Sequence, residues 1–147
     1  MEPQERFETL VNKLKQHGYR LTPQRAAILR IFASSHDHPS IEQVYNQIKG
    51  QFPMMSLATV YKTVTMLKEE GEILELAFAN GSTRYDANHP YPHPHLICVR
   101  CHRITDAEGL SLDKSALKMA ENYGYRLLTH RLDIFGICPS CLAQEAS

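Results

Sequence analysis

The chain has 147 residues, of which 43% are hydrophobic and 22% charged, the balance of a globular protein built as one ordinary domain or two small ones. No stretch approaches the roughly 20 apolar residues of a membrane span, and the charged start MEPQERFETL lacks the apolar core of a signal peptide. These features exclude a membrane or fibrous protein and point to the cytoplasm, where four cysteines are better read as thiolate ligands than as disulfides. Net charge is zero, but its distribution is uneven. No acid lies between Glu8 and Asp37, a stretch holding Lys13, Lys15, Arg20, Arg25 and Arg30; none lies between Glu42 and Glu69, which flank Lys49, Lys62 and Lys68. Patches of this kind bind phosphate, although charge alone fits a solvated helix face at least as well.

Phe7, Leu10, Val11 and Leu14 recur at helical spacing, with Gly18 as a stop. Thr22-Pro23 starts a second helix, Thr22 as N-cap and Pro23 in the first turn, with Ile28, Leu29, Ile31 and Phe32 as its core stripe. Ser40 and Gln43 form a capping box before Ile41, Val44, Tyr45 and Ile48. After Pro53, Ser56 caps a helix running to about Glu70 and stopping at Gly71. Its core face is Leu57, Val60, Val64 and Leu67; the opposite flank offers Ala58, Thr59, Tyr61, Lys62 and Thr65. The period then changes to two through Leu74, Leu76 and Phe78, the pair Asn80-Gly81 signals a hairpin turn, and Ser82–Asp86 returns as the second strand. Helices ending in a helix-turn-helix, followed by a hairpin, make a winged helix.

The segment Asn88-His-Pro-Tyr-Pro-His-Pro-His95 carries three prolines and reads as a linker, since proline is excluded from helix interiors and central strands. Beyond it, His95–Val99 and Arg103–Asp106 read as short strands, Leu112–Asn122 as a helix ending near Gly124, and Leu128, His130, Leu132 and Ile134 as alternating residues of another strand. The expected class is α+β: a winged helix over residues 1–86, a hinge over 87–94 and a small α/β domain over 95–147. A β-α-β module of about 55 residues holds itself poorly and needs a metal, a second copy, or both.

Two motifs carry chemistry. Cys98-Val-Arg-Cys101 and Cys138-Pro-Ser-Cys141 are a CxxC pair of pairs, a pattern that suits a tetrahedral zinc thiolate site; a thiol redox role for the second pair is the competing reading. His89, His93 and His95 crowd the linker beside Asp86, His38 precedes a helix start, and Asp106 follows Cys101 by five residues. Nitrogen and carboxylate oxygen without sulfur suit Fe(II), Mn(II), Ni(II) or Zn(II). Solvated surface histidines would give the same composition.

Five ordered motifs, Leu21-Thr-Pro-Gln-Arg25, His38-Pro-Ser, Ser56-Leu-Ala-Thr-Val-Tyr-Lys62, His93-Pro-His-Leu-Ile-Cys98 and the two CxxC pairs, together resemble the ferric uptake regulator (Fur) family of dimeric, metal-responsive bacterial repressors. The resemblance runs from about residue 6 to Cys141. It implies a DNA-binding winged helix followed by a dimerisation domain, and a homodimer. It also implies a structural zinc on Cys98, Cys101, Cys138 and Cys141, and a regulatory Fe(II) or Mn(II) on His38, Asp86, His93, His95 and Asp106.

Asp at position 106 resembles the family's peroxide-sensing PerR branch, where glutamate is more usual in iron sensors. That branch implies Fe(II) reacting with H2O2, oxidation of His38 or His93, and release of DNA, a one-use sensor and no enzyme. A reversible ferrous-iron sensor is the alternative. The family's additional site would use His130 and Asp113, but its other positions are Pro92 and Pro94, which cannot ligate, so it is expected to be absent or weak. His130 is then a structural strand residue, and His89 a possible substitute ligand.

The target implied is an A/T-rich palindromic operator on double-stranded DNA. The Ser56–Glu70 helix would enter the major groove, with Tyr61 against thymine methyls and Thr59 and Lys62 reaching bases or phosphates. Lys15 and Arg20 would contact the backbone or adjacent minor groove. Partial burial against the hairpin is the competing reading of Tyr61. A zinc hydrolase using His93 and His95 lacks an H-E-x-x-H general base and leaves the helix-turn-helix unexplained.

Overall fold

A computed structural model describes residues 2–77, 82–87, 93–107 and 112–146. The chain divides into two compact units, Met1–Pro90 and Tyr91–Ser147. The first contains helices α1 (Pro3–Gln16), α2 (Pro23–Ser34), α3 (Ile41–Ile48) and α4 (Leu57–Glu69), then strands β1 (Leu74–Ala77) and β2 (Thr83–Asp86). The second contains β3 (His95–Cys98), β4 (Ile104–Asp106), α5 (Asp113–Asn122), β5 (Asp133–Gly136) and α6 (Pro139–Glu145). Phe78, the Asn80-Gly81 turn and His89 lie outside the described residues.

Local signals place the helices of the first unit. The Thr22 side chain accepts a hydrogen bond from Arg25 N, and Ser40 and Gln43 form both halves of the capping box. Gly18 and Gly71 follow α1 and α4 at φ of +80° and +68°, the left-handed geometry that stops a helix at little cost in glycine. Ser56 holds the N-cap position of α4, but its side chain makes no cap bond. The first turn closes instead through Thr59 N donating to Ser56 O at 3.1 Å, a tightened turn that satisfies one orphan amide without the hydroxyl.

The core of this unit gathers Leu10 and Leu14 of α1, Ile28, Leu29 and Phe32 of α2, Val44 and Ile48 of α3, and Val60, Val64 and Leu67 of α4. Ile31, Tyr45 and Leu57 pack at its edge. Tyr85 of β2 joins the core and meets Phe32 edge to face, with ring centroids 6.5 Å apart. The antiparallel hairpin pairs Leu76 with Arg84 and Leu74 with Asp86, so these four share the face opposite Tyr85. Because Phe32 is fully enclosed, Phe32→Ala is expected to destabilise the first unit by about 3–5 kcal/mol. Urea unfolding followed by circular dichroism checks this.

In the second unit the strand order is β4-β3-β5, antiparallel between β3 and β4 and parallel between β3 and β5. The final strand is shorter than the alternation of Leu128, His130, Leu132 and Ile134 suggests. Its partner β3 has four residues, and the register His95↔Asp133 to Cys98↔Gly136 uses all of them. Residues before Asp133 therefore lack a ladder, apart from Leu132 O, which accepts from His95 N. Helix α6 is absent from the sequence-based reading, although Pro139 at its first position is a start signal. Few described residues of this unit are buried; Ile97, Cys98, Ile104 and Cys141 are among them, while α5 buries none. No described helix is long and apolar enough to cross a membrane.

Candidate metal centres and nucleic-acid face

Cys98 ends β3, where His102 N donates to Cys98 O and closes the turn carrying Cys101. Cys138 is the N-cap of α6 and Cys141 lies in its first turn. The two knuckles bring all four sulfurs within 4.8 Å of one another. Cys98 and Cys141 Sγ are 3.8 Å apart and Cys101 and Cys138 Sγ 3.7 Å, and no cysteine is in a disulfide. A tetrahedron with Zn–S of about 2.3 Å has edges of about 3.8 Å, so this donor set fits zinc.

The electrostatics agree with that fit. Backbone amides of Cys101 and Cys138 hold the Cys98 thiol down at about 5, and the Cys141 amide lowers Cys138. Hydrogen bonding to Cys138 and crowding by the other sulfurs push Cys141 up to about 12. Thiolates packed this closely repel one another, and a divalent cation relieves that repulsion by holding every thiol deprotonated.

Each unit also carries nitrogen and oxygen donors. In the second, His95 stands in a cross-strand row with Asp106 on one side and Asp133 on the other. Asp106 Oδ1 lies 2.9 Å from His93 Nε2 and 3.5 Å from His95 Nε2, and the two imidazole centroids are 4.3 Å apart. Asp133 Oδ1 is 3.8 Å from His95 Nδ1, on the side where ligand histidines commonly face an orienting carboxylate. In the first unit, His38 Nε2 lies 3.2 Å from Asp86 Oδ2, both side chains buried. These donors suit a hard or borderline divalent ion such as Fe(II) or Mn(II).

Two arginines in the first unit had no sequence signal, because their partners are remote in the chain. Arg6 is buried and donates to Glu72 Oε2, Glu72 O and Ala87 O. Arg84 donates from Nε to His38 O and from Nη2 to Asp37 O. Arg84 is partly buried, and that burial lowers its pKa from the ordinary value.

Of the residues expected to meet DNA, Lys15, Arg20 and Lys62 are exposed and Thr59 is half-buried. Tyr61 is 49% exposed, with one side lining a groove shared with Ser40, Glu42, Glu75 and Tyr85. Tyr61 thus faces the hairpin across this groove and stays about half exposed. A second groove, of about 320 Å³, joins Thr22 and Arg25 of the α2 start to Met54, Thr59 and Lys62 around the α4 start. His130 lies outside any strand and meets Asp113 of α5 at 2.8 Å. His17 meets Glu70 at 2.9 Å.

A winged helix in one unit and a four-sulfur centre in the other define a metal-dependent transcription regulator. The sequence model of the ferric uptake regulator family matches residues 16–135, and the chain belongs to that family. It is 38% identical over 132 residues to the peroxide operon regulator of Bacillus subtilis, covering 90% of each chain. It is 35% identical over 135 residues to the peroxide-responsive repressor PerR of Staphylococcus aureus, covering 92% of this chain and 90% of that one. Among solved structures, PerR from Streptococcus pyogenes, described in terms of peroxide sensing and gene regulation, aligns with a TM-score of 0.53 at 32% identity, covering 92% of each chain.

Proposed function

We propose that the chain is a bacterial, homodimeric repressor that binds an A/T-rich palindromic operator when metal-loaded and releases it on peroxide stress. Residues 1–86 bind DNA, 87–94 act as the hinge, and 95–147 dimerise. Asp106 is the observation that carries the reading. Its carboxylate sits beside His93 and His95, and an aspartate at this position resembles the peroxide-sensing branch; the similarity to the Bacillus subtilis peroxide operon regulator supports the same branch.

The structural zinc is held by Cys98, Cys101, Cys138 and Cys141. The regulatory ion would be held by His38, Asp86, His93, His95 and Asp106, as the family resemblance implies, and its loading would set DNA affinity. Ferrous iron, when bound, would help break the O–O bond of H2O2; overall, one peroxide oxygen replaces a ring C–H on the imidazole in a two-electron oxidation, and the other leaves as water. The chain's own residues do the rest. Five nitrogen and oxygen donors hold the ion, and His38 or His93 is the group that becomes oxidised. An oxidised imidazole donates poorly, so the ion would be held less well and DNA released. The event is used once per molecule and is not turnover. The cytoplasm, which holds the DNA, is the compartment.

Homodimerisation is supported by the exposed apolar residues of the second unit, among them Leu117, Met119, Tyr125, Leu128 and Phe135, side chains that a second copy would cover. On DNA, Tyr61 reads thymine methyls, Thr59 and Lys62 reach bases or phosphates, and Lys15 and Arg20 hold the backbone or minor groove. Tyr61→Ala is therefore expected to lower discrimination between the operator and random DNA by about 1–3 kcal/mol. Lys15→Ala should weaken both alike and reduce the salt dependence by about one counterion. Fluorescence anisotropy at several salt concentrations separates the two; equal losses on both DNAs for Tyr61→Ala would make it a packing residue. The function itself is tested by operator binding of Mn(II)- and Fe(II)-loaded protein before and after peroxide. Reversible loss that follows only iron removal would make the protein a plain iron sensor.

A further inference from the structure

Three contacts tie strand β2 to the turn that carries His38. Tyr85 N donates to Pro39 O at 3.1 Å, Arg84 Nη2 donates to Asp37 O at 2.6 Å, and Arg84 Nε donates to His38 O. His38 itself has φ of +53°, a left-handed backbone that non-glycine residues adopt only when their surroundings impose it. Its imidazole is 2% exposed and faces Asp86, which lies two residues from Arg84 on the same face of β2.

We propose that Arg84 is a positioning residue: by gripping two successive backbone carbonyls it holds the His38 turn in its left-handed form and aims the imidazole as a metal donor. A planar guanidinium suits this task because its N–H groups diverge in a fixed plane and reach two acceptors at once. Lysine brings the same charge on a flexible stem without that fixed fork. The effect is indirect, since Arg84 touches the backbone of His38 and not its ring. The inference rests on the reading of His38 as a regulatory ligand.

The test uses the full-length, zinc-replete protein and Mn(II) alone as probe, with free ion counted by electron paramagnetic resonance. Arg84→Gln is expected to weaken Mn(II) binding about 10–100-fold, the usual loss when a group supporting a metal ligand is removed, with Arg84→Lys falling between it and the unchanged protein. In the Fe(II) form treated with peroxide, peptide mapping should show oxidation moving from His38 towards His93 in Arg84→Gln. His38→Ala is the control for the underlying reading. If His38→Ala binds Mn(II) as the unchanged protein does, the ligand assignment fails. If His38→Ala loses Mn(II) but Arg84→Gln does not, the ligand assignment stands and the role of Arg84 is overturned. Should Arg84→Gln fail to fold by circular dichroism, Arg84→Lys decides, and folded Arg84→Lys with unchanged Mn(II) affinity and oxidation pattern overturns the proposal.

Discussion

A Cys98→Ser chain is expected to purify without zinc, to elute as a monomer, and to fail on operator DNA whichever metal is added; Cys138→Ser should behave alike. The second unit has few buried apolar side chains among its described residues, chiefly Ile97 and Ile104 beside Cys98 and Cys141, and a module of that size lacks the burial to stand alone. The sulfur tetrahedron closes it by joining the end of β3 to the start of α6. Thiolate zinc contributes apparent binding on the order of 10 kcal/mol that is inseparable from folding. Losing one sulfur leaves three crowded thiolates without their counter-charge, and both knuckles come apart. The core of the first unit, centred on Phe32 and Leu67, does not depend on zinc, so its helical circular dichroism should persist. Zinc content, gel filtration and circular dichroism check the three claims together. A zinc-free variant that stays dimeric and binds operator would show the centre to be dispensable.

Iron-loaded protein is expected to lose operator binding within minutes of adding micromolar peroxide, while manganese-loaded protein keeps it. One added oxygen atom should appear on the peptide carrying His38 or His93, with all four cysteines still on zinc. All five proposed regulatory donors are nitrogen or oxygen, so the proposed site should accept either ion, but only ferrous iron readily gives an electron to peroxide. Asp106→Glu should retain metal-dependent DNA binding and lose most of the peroxide response. The longer side chain moves the carboxylate away from its position 2.9 Å from His93 Nε2, which changes how the ion is held without removing a donor. Peptide mass mapping beside operator binding reads both outcomes. Iron-loaded protein that keeps its DNA with unmodified histidines would be a plain metal sensor. Release that follows cysteine oxidation and zinc loss would make the thiol centre the switch.

Much of this was legible in the residues themselves, for physical reasons that differ along the chain. Thr22-Pro23 and the Ser40–Gln43 capping box are local devices, complete within four residues, so they mark helix starts with or without a tertiary context. The CxxC spacing is likewise local: two residues between sulfurs turn both toward one ion. Other features required partners far away in the chain. The alternation through Leu128, His130 and Leu132 looks like strand, yet only residues 133–136 pair, because β3 offers four residues and no more. His130 consequently meets Asp113 at the helix start and not a strand neighbour. Arg6 and Arg84 carry no local signal, and only folding brings them to Ala87 O and His38 O, 81 and 46 positions away. Local chemistry names which residues can cap, turn or bind a metal. Which of them are held in place is decided by long-range hydrogen bonds, and those exist only once the strands have found their register.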